Sequence, residues 1–126
     1  MSKEKYLKLS DLSAYRIAFN LSNYVWEIVI TWDYFSKDTL GKQFTRAVDS
    51  ISANIAEGFG RYSKKDKIKF YRYSLGSLKE SLDWNQKARH RNLIKKEDHS
   101  YIFKELNKLP KEINSLIGFT NHKLSV

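Results

Sequence analysis

The chain has 126 residues, 41% of them apolar and 14% aromatic, with a formal net charge of +9 and no cysteine. That length suits one domain around one core, and the apolar content excludes a disordered chain. The lack of cysteine excludes a disulfide framework and thiolate metal sites, and no apolar run approaches the roughly 20 residues that span a bilayer.

The opening "MSKEKYLKLSDLS" has no apolar stretch of the signal-peptide kind, so the expected location is a reducing cytoplasm without membrane contact. A single proline, Pro110, and five glycines give too little turn punctuation for an all-β chain. The apolar spacing is helical instead. A first segment, about 13–35, carries Ile17, Leu21, Tyr24, Ile28 and Phe35 at helical steps. A second, about 39–59, carries Phe44, Val48, Ile51 and Ile55, with Asp38 or Thr39 as its cap and Gly58 and Gly60 weakening its end. A third, about 63–90, carries Ile68, Tyr71, Leu75, Leu78 and Leu82, opened by Ser63 with Asp66 behind it. A fourth, about 96–120, carries Ile102, Leu106, Leu109, Ile113 and Leu116, with Pro110 expected to kink it. Short connections force neighbouring helices to run antiparallel, so the fold expected for residues 1–126 is a single all-α, up-down-up-down four-helix bundle.

Beside the core line of the second segment runs another seam: Gln43, Ala47, Ser50, Asn54, Glu57 and Arg61. Without His or Cys it has no nucleophile and base, and it closes a helix where a phosphate-cradling loop would open one. The expectation is helix packing with hydrogen bonds between helices, so that Asn54 and Glu57 are structural.

"QFTRAVDSISANIAEGFGR", followed by "GSLKE" at Gly76 to Glu80, resembles the four-helix-bundle family of 23S rRNA intervening-sequence proteins. The matching positions are Gln43, Arg46, Ala47, Ser50, Ile51, Asn54, Ile55, Ala56, Glu57, Gly58, Arg61, Gly76, Ser77 and Glu80. Tyr73 and Ser74 depart from the smaller apolar residues that precede the Gly-Ser pair in that family. The resemblance implies a small bundle of ill-defined biochemical role, often encoded within insertions in large-subunit ribosomal RNA genes. A group similar in fold, the accessory variability proteins of diversity-generating retroelements, forms pentameric barrels that bind nucleic acid and a reverse transcriptase. By fold analogy alone, RNA or DNA and a reverse transcriptase are implied as partners.

Residues 1–59 are neutral overall, so the whole excess of positive charge lies in residues 60–126. A basic half suggests an anionic partner; lysine-rich solvated helix faces give the same arithmetic. Lys65, Lys69, Arg72 and Lys79 share one stripe of the third segment, and Arg89 and Arg91 stand at its end. No zinc finger, RNA-recognition motif or helix-turn-helix accompanies them, so binding is expected to follow charge and shape, not sequence. Phe70, Tyr73 and Trp84 lie away from this segment's expected core, and Trp32 and Tyr34 add to the surplus. They suggest a subunit contact, unless a loop or terminus folds over them. The resemblance turns that contact into a pentameric ring.

The three histidines, His90, His99 and His122, form neither an H-E-x-x-H pair nor the E-x-x-H of di-iron bundles. Arg91 and His99 stand too far apart for the Arg-to-His spacing of helical HEPN-type nucleases. A non-enzymatic chain without metal or cofactor is therefore expected, with a protein-binding scaffold as the alternative and an RNA-processing enzyme as a distant one.

Overall fold

In a computed structural model that describes residues 7–124, a 3-10 turn at Leu9–Asp11 precedes five α-helical elements. They are α1 (Ser13–Val29), α2 (Tyr34–Ser36), α3 (Lys42–Gly60), α4 (Lys64–His90) and α5 (Lys96–Lys123). A π-helical turn, Lys37–Gly41, joins α2 directly to α3.

The first helix ends sooner than its apolar spacing predicts. Thr31 and Trp32 donate their N–H groups three residues back, to Ile28 and Val29, and the tightened turn lays Trp32 into the core. Asp33 then caps a new helix by accepting the Ser36 N–H at 2.9 Å. Phe35 accordingly belongs to the next helix and is exposed, where the sequence places it on the core line of the first. The same turn corrects the expected cap of the second helix. Asp38 sits inside the π turn and pairs with Lys42 at 3.0 Å, while the Thr39 hydroxyl donates to the Phe35 carbonyl at 2.7 Å. The extra residue of a π turn breaks the periodicity from which a helix start is read. At Gly41 a Cβ would stand 2.9 Å from Val29 Cγ1 and 3.2 Å from the Ser36 carbonyl, so only glycine lets α1 lie this close.

α4 opens as its sequence predicts, with the Ser63 hydroxyl accepting the Asp66 N–H at 3.1 Å. It closes in a Schellman arrangement. Asn92 takes the left-handed conformation (φ 58°), its N–H donates to the Arg89 carbonyl, and the Leu93 N–H donates to that of Ala88. α5 continues through Pro110, whose nitrogen offers the Leu106 carbonyl no hydrogen bond.

Contacts between helices fix the topology. The Ser13 hydroxyl donates to Glu112, and the Tyr24 hydroxyl donates to Asp98 at 2.6 Å, so α1 and α5 run antiparallel. Gly58 lies against Tyr71 and the Ser74 hydroxyl donates to the Ile51 carbonyl at 2.8 Å, which makes α3 and α4 antiparallel. The Asn85 amide reaches the His99 carbonyl at 3.2 Å, while Lys64 reaches that of Asn121 at the far end of α4 and α5. With Val29 at the end of α1 against Gly41, the residue that precedes α3, the four long helices close an up-down-up-down bundle around one core.

Phe44, Val48, Ile51 and Ile55 of α3 and Ile102, Leu106, Leu109 and Ile113 of α5 fill that core as their spacing predicts. In α1 and α4 the buried line is turned from the expected one. α1 buries Ala14, Ala18, Leu21, Val25 and Val29, leaving Ile17, Tyr24 and Ile28 partly covered. α4 buries Tyr71, Ser74, Leu78, Ser81, Asn85 and Ala88, with Ile68, Leu75 and Leu82 at the margin. Small residues thus share the buried faces, and a hydroxyl such as that of Ser74 is admitted because a carbonyl of α3 accepts it.

Two core-side phenols make the bundle sensitive to alkali. Burial pushes Tyr71 up to about 12, and burial together with the hydrogen bond to Asp98 does the same for Tyr24. The unfolded chain releases these protons near the ordinary phenol value of about 10. Between the two values the unfolded state binds fewer protons, so stability falls as pH rises from about 10 to about 12. Urea midpoints at about pH 9 and about pH 11 should show this decline, with a smaller one in Tyr71→Phe.

Candidate nucleic-acid interface

Residues four and three apart on a helix share a face, so Lys65, Lys69, Arg72 and Lys79 form one stripe on α4. By helix geometry it lies on the far side of α4 from Ser74 and Ser81, and all four residues are exposed. At 1.5 Å per residue it is about 21 Å long. Among the described residues the ion pairs are Lys42–Asp38, Arg61–Glu57, Lys87–Asp83 and Lys108–Glu105, so none of the four cations has a carboxylate within 4.0 Å.

The stripe ends at Lys79. Glu80 and Asp83 follow on the exposed side, and Lys87 is held 2.6 Å from Asp83 and 4.6 Å above the Trp84 ring. Arg89, expected to extend the stripe, faces another side of α4, half-buried, with its guanidinium 3.5 Å from the Ile94 carbonyl. Arg91 is exposed but stands beyond the helix as its C-cap. Lys67, which the sequence does not single out, donates to the Phe59 carbonyl at 2.7 Å, and burial lowers its pKa.

The seam residues of α3 do not bond to other helices. Asn54 donates to the Ser50 carbonyl of its own helix at 2.9 Å. Glu57 is exposed and pairs with Arg61 at 2.8 Å. Arg46 is exposed, and Gln43 and Ser50 are half-buried. On α4, Gly76 and Glu80 are exposed, and the half-buried Ser77 accepts the Ser81 hydroxyl at 2.8 Å. Of the two motif glycines, Gly58 has a steric reason for its identity, since a Cβ there would stand 2.6 Å from the Tyr71 ring, whereas one at Gly76 would meet nothing within 4 Å. The inter-helix hydrogen bonds expected of Asn54 and Glu57 are thus replaced by bonds to neighbours one turn away, which are compatible with solvent exposure. Asn54→Ala should change stability by no more than about 0.5 kcal/mol, which a thermal melt checks.

While paired with Glu57, the Arg61 guanidinium also lies over the Phe70 ring, 4.6 Å from its centroid, and Phe70 meets Tyr73 edge-on at 5.3 Å. This brings the end of α3 and the start of α4 together beside the cationic stripe. Of the three α4 rings expected to face outward, Phe70 is half-buried, Trp84 packs against the core, and Tyr73 is exposed. Trp32 is a core residue, and Tyr34 is exposed. Among the other exposed apolar groups, Trp26 and Ile30 at the end of α1 line, with Val29, a groove of about 550 Å³ between α1 and α3, to which α3 contributes Lys42, Arg46, Ser50 and Ala53. The early end of α1 creates this groove, which continuous periodicity to Phe35 conceals.

His99 lies 3.2 Å from the Gln86 side-chain oxygen and stacks on Phe103. Among the described residues no group of three or more His, Asp or Glu could hold a metal ion, and no helix is long and apolar enough to cross a membrane.

No curated protein matches the chain. A solved structure of a protein of unknown function from the S23 ribosomal protein family of Bacteroides thetaiotaomicron is similar in fold, at 20% identity and a TM-score of 0.73. The likeness covers 82% of this chain and 97% of that one. Residues 10–115 match the family described as 23S rRNA-intervening sequence protein, a span that takes in the bundle from the 3-10 turn to most of α5. The chain therefore belongs to the 23S rRNA-intervening sequence protein family.

Proposed function

We propose that the chain is a non-enzymatic, cytoplasmic bundle that binds RNA or DNA through the outer face of α4, without strong sequence preference. The supporting observation is the exposed stripe of Lys65, Lys69, Arg72 and Lys79, whose charges no described carboxylate neutralises. Cations one helical turn apart displace counterions from a phosphate backbone whatever its bases. Gel shifts with RNA and DNA of equal length test this. Both should bind, and Lys65→Ala with Lys69→Ala should weaken both alike; binding equal to wild type contradicts the reading.

The reading includes self-association into a closed ring, with five copies as the resemblance implies. Support comes from apolar surface at the α1–α3 groove, where Trp26 is 51% exposed. Phe70 and Trp84 are too well covered to lead such a contact, and a charge at Trp84 would strike the core instead. Light scattering should report several times the 14.9 kDa chain. Trp26→Glu should reduce that mass while leaving helical circular dichroism intact; a wild-type monomer at micromolar concentration contradicts the ring. A protein-binding scaffold is the second reading, favoured by the same groove.

A further inference from the structure

We infer that the outer face of α4 is a track for single-stranded nucleic acid, in which Tyr62 and Tyr73 stack bases and Gly76 leaves room for the strand; this rests on the nucleic-acid reading above. Duplex binding needs cations alone, whereas an unpaired strand also presents base faces, which aromatic rings can cover. Two exposed rings lie close to the stripe along the chain. Tyr62, two residues before α4, is 83% exposed, and Tyr73, one turn after Lys69, is 49% exposed.

Tyr73 is also held in place. Phe70 supports it edge-on at 5.3 Å, and Phe70 is itself covered by the Arg61 guanidinium, which Glu57 fixes at 2.8 Å. A ring so supported loses little freedom on stacking. The order along the chain is ring, two cations at Lys65 and Lys69, a cation and a ring at Arg72 and Tyr73, bare backbone at Gly76, and a cation at Lys79. Lys65 and Lys69 are about 6 Å apart along the helix axis, a separation that successive phosphates of an extended strand can match.

Gly76 makes no close approach inside the chain that would require glycine. A Cβ there would meet nothing within 4 Å, yet a mid-helix glycine costs about 1 kcal/mol relative to alanine. Between Arg72 and Lys79, its missing side chain lets an external backbone approach the helix closely.

Fluorescence anisotropy with oligouridylate, oligothymidylate and a hairpin duplex of equal phosphate count tests the track. Wild type should bind both single strands at least about tenfold more tightly than the duplex. Tyr62→Leu and Tyr73→Leu should each lower single-strand affinity about tenfold. Duplex affinity and salt dependence should stay unchanged, and Tyr73→Phe should bind as wild type. Gly76→Leu should obstruct the strand without lowering the melting temperature. Equal affinity for strands and duplex, unaffected by the tyrosine variants, overturns the track and leaves the cationic reading standing. Loss of all binding at physiological salt overturns both. A fall in assembly mass in Gly76→Leu with unchanged binding makes the face a subunit contact and overturns the track.

Discussion

Replacing Gly58 by alanine should destabilise the bundle by about 1–3 kcal/mol, the usual cost of overfilling a packed site. A Cβ at this position would stand 2.6 Å from Tyr71 Cε1, 2.8 Å from Tyr71 Cδ1 and 3.0 Å from the Lys67 carbonyl. The ring cannot swing aside, because Tyr71 is 1% exposed and packed in the core. The carbonyl cannot move without bending α4, so the strain must separate α3 from α4. Gly118→Ala is the matching control. A Cβ there meets nothing within 4 Å, so the alanine should stabilise α5 by about 0.5–1 kcal/mol through helix propensity alone. Urea denaturation of the two variants should therefore move the midpoint in opposite directions. Equal shifts would mean that the α3–α4 contact at Gly58 is looser than the bundle geometry requires.

The bundle was legible because each long helix carries apolar residues at steps of three and four, and the links between helices are short. In α3 and α5 the apolar spacing marks the buried face, since Phe44, Ile51, Ile102 and Leu109 are large, apolar and buried. In α1 and α4 the buried line is partly rotated from the line of large apolar residues. Their buried faces include Ala14, Ala18, Ser74 and Ser81, which a search for large apolar residues passes over. The break after Val29 was hidden because Ile30, Trp32 and Phe35 continue an apolar pattern through a turn. At the candidate interface, the spacing of Lys65, Lys69, Arg72 and Lys79 was enough to place them together. The sequence could not show that Arg89 is drawn to the Ile94 carbonyl, since that contact depends on the left-handed turn at Asn92. Nor could it show that Asn54 and Glu57 bond within their own helix, because polar residues beside a core line suit either arrangement.

The cationic stripe predicts the second large effect, a change in how binding responds to salt. Each phosphate contact contributes about 0.9 units to the log–log slope of affinity against salt on duplex DNA, and about 0.7 on single strands. Lys65→Ala with Lys69→Ala should therefore flatten the slope by about 1.4–1.8 units. Arg89→Ala with Arg91→Ala should flatten it by less, because Arg89 is turned off the stripe and Arg91 lies past the helix end. Ser50→Ala, which removes no charge, should leave it unaltered. The decisive measurement is the salt dependence of RNA and DNA affinity for wild type and the Lys65→Ala/Lys69→Ala pair. A slope reduced by more than one unit for both nucleic acids is the predicted result, and an unchanged slope, or no binding at physiological salt, would contradict it.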